Sequence, residues 1–139
     1  MQGTPEDGQH RPLVEITVQF TGFPSQQVVA LLDSGADWTT IPTDLAVAMT
    51  GLPFEQIGKE AGFVHGIAGA IPVRIVEGQG RYLGRAFTTM IQVCATPRAV
   101  LGRQDFMRSF NVRFYWSHNP PEFFVEPLPV GSVKQKRHR

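Results

Sequence analysis

The sequence predicts an all-β domain, an antiparallel barrel or sandwich with one or two short helices. Residues 13–20 alternate between apolar and polar side chains, which is the period of a half-buried strand. The 14 glycines and 11 prolines indicate many turns between short elements. Helical spacing is confined to two short stretches, from Pro42 to Met49 and from Arg103 to Phe110.

The elements can be assigned in chain order. In the first strand, Val14, Ile16, Val18 and Phe20 share one side. The first short helix begins with a capping residue and is followed by Gly51, a helix-ending residue. The other predicted strands are a buried strand over 27–32, a hairpin over 62–77, a long strand over 81–93, a short strand ending at 102, and a terminal hairpin over 112–126.

Length and composition indicate one globular domain. The chain has 139 residues, of which 42% are hydrophobic and 18% charged, so disorder is not expected. Residues 1–10 are polar and lack periodicity, and we expect a flexible lead-in there. We expect residues 11–126 to form the domain and residues 127–139 to form a proline-punctuated, basic tail.

Charge and cysteine content restrict the partners and the compartment. A formal net charge of +1 gives no field that predicts a nucleic-acid or membrane partner. No apolar run approaches the roughly 20 residues that span a bilayer, so we expect a soluble protein. Cys94 is the single cysteine, which excludes an intramolecular disulfide and favours a reducing cytoplasm. A buried apolar role is favoured for this thiol over a redox role.

A carboxylate follows the buried strand directly. Residues 31–36 read Leu-Leu-Asp-Ser-Gly-Ala, which places Asp33 on a loop where Gly35 permits unusual backbone geometry. Taken alone, this pattern has a structural alternative, in which Asp33 only accepts backbone hydrogen bonds in an Asx turn. The motifs elsewhere in the chain favour catalysis.

Four motifs together resemble the retropepsins, the single-domain aspartic proteases of retroviruses and their cellular and bacterial relatives. Residues 11–14 resemble the opening strand of that family, and residues 31–37 resemble its catalytic loop. Residues 66–69 resemble the tip of its mobile flap. Thr96-Pro97 and residues 100–103 resemble the segment that braces the catalytic loop and precedes a helix. Residues 104–106 are closer in character to the cellular and bacterial members.

The resemblance implies a retropepsin-like acid protease barrel that works as a homodimer. Asp33 would be the single catalytic carboxylate of each subunit, and it would act on a water molecule together with Asp33 of the second copy. Ser34 would hydrogen-bond across the dimer, and Gly35 would offer its carbonyl to the substrate backbone. No metal and no cofactor are implied.

The resemblance also implies binding residues. Arg103 would pair with Asp37 and lock the loop to the following helix, although two solvated charges are the alternative. Arg11 stands at the position that reaches the partner chain. His65 either tunes activity or faces solvent, and Trp38 either lines a pocket or packs in the core. The expected substrate-binding residues are Ala36, Asp37, Trp38, Thr40, Ile41, Gly66, Ile67 and Val100.

These observations favour a cytoplasmic aspartic endopeptidase that binds an extended peptide and prefers apolar residues near the cut. A catalytically silent peptide-binding or dimerisation module of the same fold is the alternative, and the intact Asp33-Ser34-Gly35 triplet argues against it. A weaker hypothesis makes the domain an adaptor that binds nucleic acid through the basic residues 134–139. Cleavage that depends on Asp33 distinguishes the first hypothesis from the others.

Overall fold

The computed structural model describes residues 2–3, 11–66, 69–115, 117 and 122–129. The expectations for Ile67, for most of the lead-in and for the basic residues 134–139 lie outside these ranges.

Ten strands and two short α-helices make up the described chain. In order they are β1 (Gln2–Gly3), β2 (Leu13–Phe20), β3 (Gln26–Leu32), β4 (Thr40–Pro42), α1 (Thr43–Thr50), a 3-10 turn (Phe54–Gln56), β5 (Lys59–Gly66), β6 (Gly69–Tyr82), β7 (Arg85–Cys94), β8 (Ala99–Leu101), α2 (Phe106–Ser109), β9 (Phe110–Tyr115) and β10 (Glu122–Pro127).

Six of the strands close into a barrel in the order β2-β3-β8-β4-β7-β6, because β6 also pairs with β2. Gly78 stands at this closure, where a side chain would begin only 2.5 Å from the carbonyl oxygen of Gln19. The remaining strand of this sheet, β5, pairs with the first half of β6 and forms a hairpin beyond the barrel. The predicted all-β barrel with short helices is confirmed.

The alternation predicted for β2 is also confirmed, since Val14, Ile16, Val18 and Phe20 are all at most 5% exposed. The barrel is not purely antiparallel, however, because β3 pairs with β8 and β4 pairs with β7 in parallel. Parallel pairs require long connections rather than tight turns, so hairpin signals in the sequence cannot reveal them.

A smaller sheet has the strand order β1-β10-β9, and its strand β9 begins directly after α2. The helix is held by aromatic packing, in which the rings of Phe106 and Phe110 stack with centroids 4.5 Å apart. Both rings also meet Phe87 of β7 edge to face. These contacts fix the segment that follows β8 against the barrel.

The predicted second helix, 103–110, is shorter in the structure because residues 103 and 104 bond to the loop after β3. Of the helices in the described ranges, none has the length and apolar character to cross a membrane.

Candidate active site

The loop that carries Asp33 begins where two parallel strands end together. Leu32 of β3 pairs with Leu101 of β8, and the backbone N–H of Asp33 donates to the Leu101 carbonyl at 3.2 Å. The side-chain Oδ1 of Asp33 accepts the N–H of Gly35 at 2.9 Å. This contact is the hydrogen bond expected if Asp33 forms an Asx turn, and it occupies one of the two carboxylate oxygens. Asp33 is half-buried.

The chain after β8 braces this loop through its backbone. Arg103 N donates to Ala36 O at 2.8 Å, and Gln104 N donates to Asp37 O at 2.7 Å. Gly102 lies so close to the loop that a Cβ there would be 2.6 Å from the Asp37 carbonyl oxygen and from backbone atoms of Trp38. Only glycine fits at this position without moving the loop.

An ion pair lies on the solvent-exposed side of the junction between the Asp33 loop and the chain after β8. Arg103 Nη2 is 2.5 Å from Asp37 Oδ1, and both side chains are 59% exposed. The pair joins one guanidinium nitrogen to one carboxylate oxygen. At this exposure it contributes about 1 kcal/mol or less to stability, so the backbone bonds are the stronger link between the two segments.

Asp105 is a buried part of the site that sequence reasoning did not assign. Its side chain accepts hydrogen bonds from Thr39 N at 2.9 Å, Thr89 Oγ1 at 2.5 Å and Phe106 N at 2.6 Å. The carboxylate therefore joins the end of the Asp33 loop, strand β7 and the start of α2. Its position directly before the helix was the available signal, since Asp is a preferred N-cap residue.

A cleft of about 460 Å³ opens beside the loop. Leu31, which is two residues before Asp33, lines it together with Thr40 and Val100, and these last two residues pair across β4 and β8. The sequence predicted Thr40 and Val100 as binding residues. It did not identify Val64, Gln92 and Arg98, which also line the cleft.

The other expected binding residues are distributed differently. Ala36 and Trp38 are half-buried in the loop, and Asp37 is exposed. Ile41 is 1% exposed and belongs to the barrel core. Arg11 is exposed and lines the cleft.

Strands β5 and β6 form the hairpin that the sequence predicted over residues 62–77. Gly66 pairs with Gly69 at its end, and Val64 pairs with Ile71. Val64 lines the cleft, while its neighbour Phe63 is 68% exposed, as expected when successive side chains of a strand point to opposite faces. His65 is exposed, in agreement with the solvent-facing alternative.

Two groups in the described chain have shifted acidities. Cys94 lines the cleft but is only 4% exposed, and burial raises the pKa of its thiol. Desolvation likewise raises the pKa of Tyr82. A raised thiol pKa disfavours the thiolate, which is the reactive form. Within the described ranges, no three His, Cys, Asp or Glu side chains cluster as metal ligands would.

A family model described as retroviral aspartyl protease matches residues 8–115. The chain belongs to this family. The match covers both the Asp33 loop and the segment that braces it, so the resemblance drawn from the motifs is confirmed.

A solved structure described as EIAV protease complexed with the inhibitor HBY-793 is similar in fold to this member of the family. The two share 20% identity over 72% of this chain and 88% of that chain, with a TM-score of 0.53. This likeness supports the retroviral protease fold. No curated protein matches the chain significantly.

Proposed function

We propose that the protein is an aspartic endopeptidase whose active site forms between two copies of the chain. The observation that carries this proposal is the Asp33-Ser34-Gly35 triplet, which stands at the end of a barrel strand and is braced by the chain after β8 in a member of an aspartyl protease family. Backbone hydrogen bonds tie the loop to the barrel, so the backbone of Asp33 is held in one place.

The dimer follows from the chemistry. Peptide hydrolysis of this type uses two carboxylates that share one proton, as in aspartic proteases generally. One carboxylate takes a proton from a water molecule while the other donates its proton to the carbonyl oxygen of the scissile bond. The chain contains one Asp-Ser-Gly triplet, and residues 100–102 lack an aspartate at the matching place. A second copy therefore supplies the second Asp33.

The remaining residues of the triplet have supporting roles in this proposal. Ser34 hydrogen-bonds across the dimer and holds the two loops together. Gly35 offers its carbonyl to the peptide backbone of the substrate. A side chain at Gly35 would start 3.2 Å from Asp33 Oδ1, so glycine also keeps space around the carboxylate.

An extended peptide is the proposed substrate. It would lie between the two loops and the two flap hairpins and bond to exposed backbone as an added strand. Ala36, Asp37 and Trp38 would contact it from the loop, and Gly66 and Ile67 would contact it from the flap. Thr40 and Val100 supply part of the cleft wall, and apolar side chains are expected near the cut.

The test is digestion of an unbiased peptide pool from acidic to neutral pH by the native chain and by Asp33→Asn. This change keeps the shape of the side chain and removes the acid and base, so cleavage should fall by at least about a thousandfold while the fold is retained. Asp44→Asn, at an exposed position on the first turn of α1, is the matched control and should cleave like the native chain.

Equal cleavage by native protein and a folded Asp33→Asn variant would refute the assignment. Peptide binding without any cleavage would instead indicate the silent binding module.

A further inference from the structure

The outer face of the β5–β6 hairpin carries a groove of about 330 Å³. It is bounded by the 3-10 turn, by β5 and by β6. Phe63 lines this groove while its neighbour Val64 lines the cleft beside the Asp33 loop, so the two sites lie on opposite faces of the hairpin. A groove of this size has room for one or two side chains of a ligand.

A β-bulge brings a carboxylate and an aromatic ring to this face. Glu60 of β5 pairs with Arg74 of β6, and the register shifts before the next pair. That next pair joins Phe63 to Pro72, so an interval of three residues in β5 faces an interval of two in β6. Residues 72 and 74 share one face of β6, and their partners on β5 therefore share a face too. Gly62, with a φ of 93°, supplies the backbone of the bulge.

Two carboxylates in the groove have no partner. Glu55 and Glu60 are exposed, and neither forms an ion pair or a hydrogen bond within the part of the chain that the structure describes. Arg74 also lines the groove, but its Nε donates to Ile57 O at 2.5 Å and its Nη2 donates to Gly58 O at 3.2 Å. With two carboxylates against one guanidinium, the described lining is net negative.

Apolar side chains complete the groove. Phe63 is 68% exposed, the largest exposure among the large hydrophobic residues of the described chain. Phe54, Pro72 and Val73 line the same groove. Covering such an apolar surface is favourable because it removes the surface from water. The matching ligand therefore combines a cation with a large apolar group.

The free edge of β5 points to a peptide as this ligand. β5 is the outermost strand of its sheet, and among the described strands it pairs with β6 alone. An extended peptide can hydrogen-bond to such an edge, and every second side chain then lies on the face that carries the groove. Phosphate-bearing ligands such as nucleic acid would be repelled by the two carboxylates.

We propose that the groove docks an extended peptide segment of a partner protein, in which a lysine or arginine stands two residues from a large apolar residue. The basic side chain pairs with Glu55 and Glu60, and the apolar side chain covers Phe63. The docking site does not include Asp33, so this proposal does not depend on peptidase activity.

The test is fluorescence anisotropy with the labelled octapeptide Gly-Ser-Leu-Ser-Lys-Ser-Leu-Gly, titrated with the full chain that carries Asp33→Asn so that the probe stays intact. Binding should saturate with a Kd of about 0.1 mM or tighter. It should weaken severalfold between about 50 and 500 mM salt, because salt screens exposed charges. Replacing the lysine of the probe by glutamate, or both leucines by serine, should weaken binding about tenfold or more.

Variants in the same background locate the binding. Phe63→Ala should raise the Kd about tenfold, and the double variant Glu55→Gln with Glu60→Gln should do the same. Glu15→Gln removes an exposed carboxylate from β2, and Met90→Ala removes an exposed apolar side chain from β7. Both lie outside the groove and should leave the Kd unchanged. Circular dichroism checks that each variant is folded.

The absence of saturable binding overturns the proposal. Equal Kd values for Phe63→Ala and Met90→Ala also overturn it, as does equal binding of the lysine and glutamate probes.

The basic residues 134–139 of the chain itself are the competing occupant. A full-length variant in which glutamine replaces the Lys and Arg residues of this segment separates the two cases. Equal probe binding with and without these charges supports an external partner. Probe binding confined to the neutralised variant would show that the tail fills the groove, and it would overturn the proposal of a partner protein.

Discussion

Replacing Asp105 by alanine should destabilise the protein by about 3–5 kcal/mol. The carboxylate accepts three hydrogen bonds, and its two partners outside α2, Thr39 and Thr89, are 1% and 5% exposed. Alanine would leave the N–H of Thr39 and the hydroxyl of Thr89 buried without their acceptor.

The magnitude follows from these partners. A buried donor left without an acceptor costs about 1–3 kcal/mol, and loss of a helix cap costs about 1 kcal/mol. Rotation of the Thr89 hydroxyl or entry of water lowers the sum. The resulting loss of unfolding free energy, about 3–5 kcal/mol, is a large fraction of the roughly 5–15 kcal/mol that stabilises a typical domain.

Urea unfolding followed by circular dichroism at one fixed protein concentration measures this cost. Asp37→Ala is the matched control, because it removes an exposed carboxylate from the same junction and should cost about 1 kcal/mol or less. Asp105→Asn, which keeps the shape and one acceptor oxygen, should fall between the two and gives a value if the alanine variant does not fold. Equal stabilities of Asp105→Ala and Asp37→Ala would refute the reasoning.

Four further outcomes are expected. Gly102→Ala should cost about 1–3 kcal/mol in the same unfolding assay, because its Cβ would overlap backbone atoms of the Asp33 loop; native stability would contradict that close contact. Cys94 should react slowly with iodoacetamide in the folded protein and rapidly in urea, and equal rates would contradict its burial. Its raised pKa means that the unfolded chain loses the thiol proton first, so this contribution to stability is full below the ordinary value of 9.0 and declines as pH rises above it. Finally, activity per mole should fall on dilution in parallel with dissociation of the dimer measured by sedimentation, whereas a fully active monomer would disprove the shared site.

Local patterns in the sequence were sufficient for several elements. The helix predicted from Pro42 to Met49 is α1, and Gly51 ends it with a φ of 72°. Such features depend on a few neighbouring residues, because caps, turns and alternation are set by local backbone geometry. The position of Asp33 after a buried strand could likewise be predicted from neighbouring residues.

The cleft shows the limit of local patterns. Val64 lies in a hairpin that is distant in the chain from Gln92 of β7 and from Arg98 in the turn that follows, and no spacing rule connects the hairpin with these two residues. The parallel pairing of β3 with β8 brings Leu31 beside Val100. These neighbours are determined by barrel closure, so their common wall is visible only in the folded chain.

The sequence by itself determined the all-β class, the alternating core face of β2, the Asp33 loop and the family resemblance, because each can be recognised from short patterns of neighbouring residues without knowing which segments meet in space. Only the tertiary structure decided that Asp105 is a buried acceptor, that Ile41 packs inside the barrel, and that Arg98 lines the cleft. Burial and long-range hydrogen bonds depend on which strands meet, and many pairings are compatible with the same local pattern.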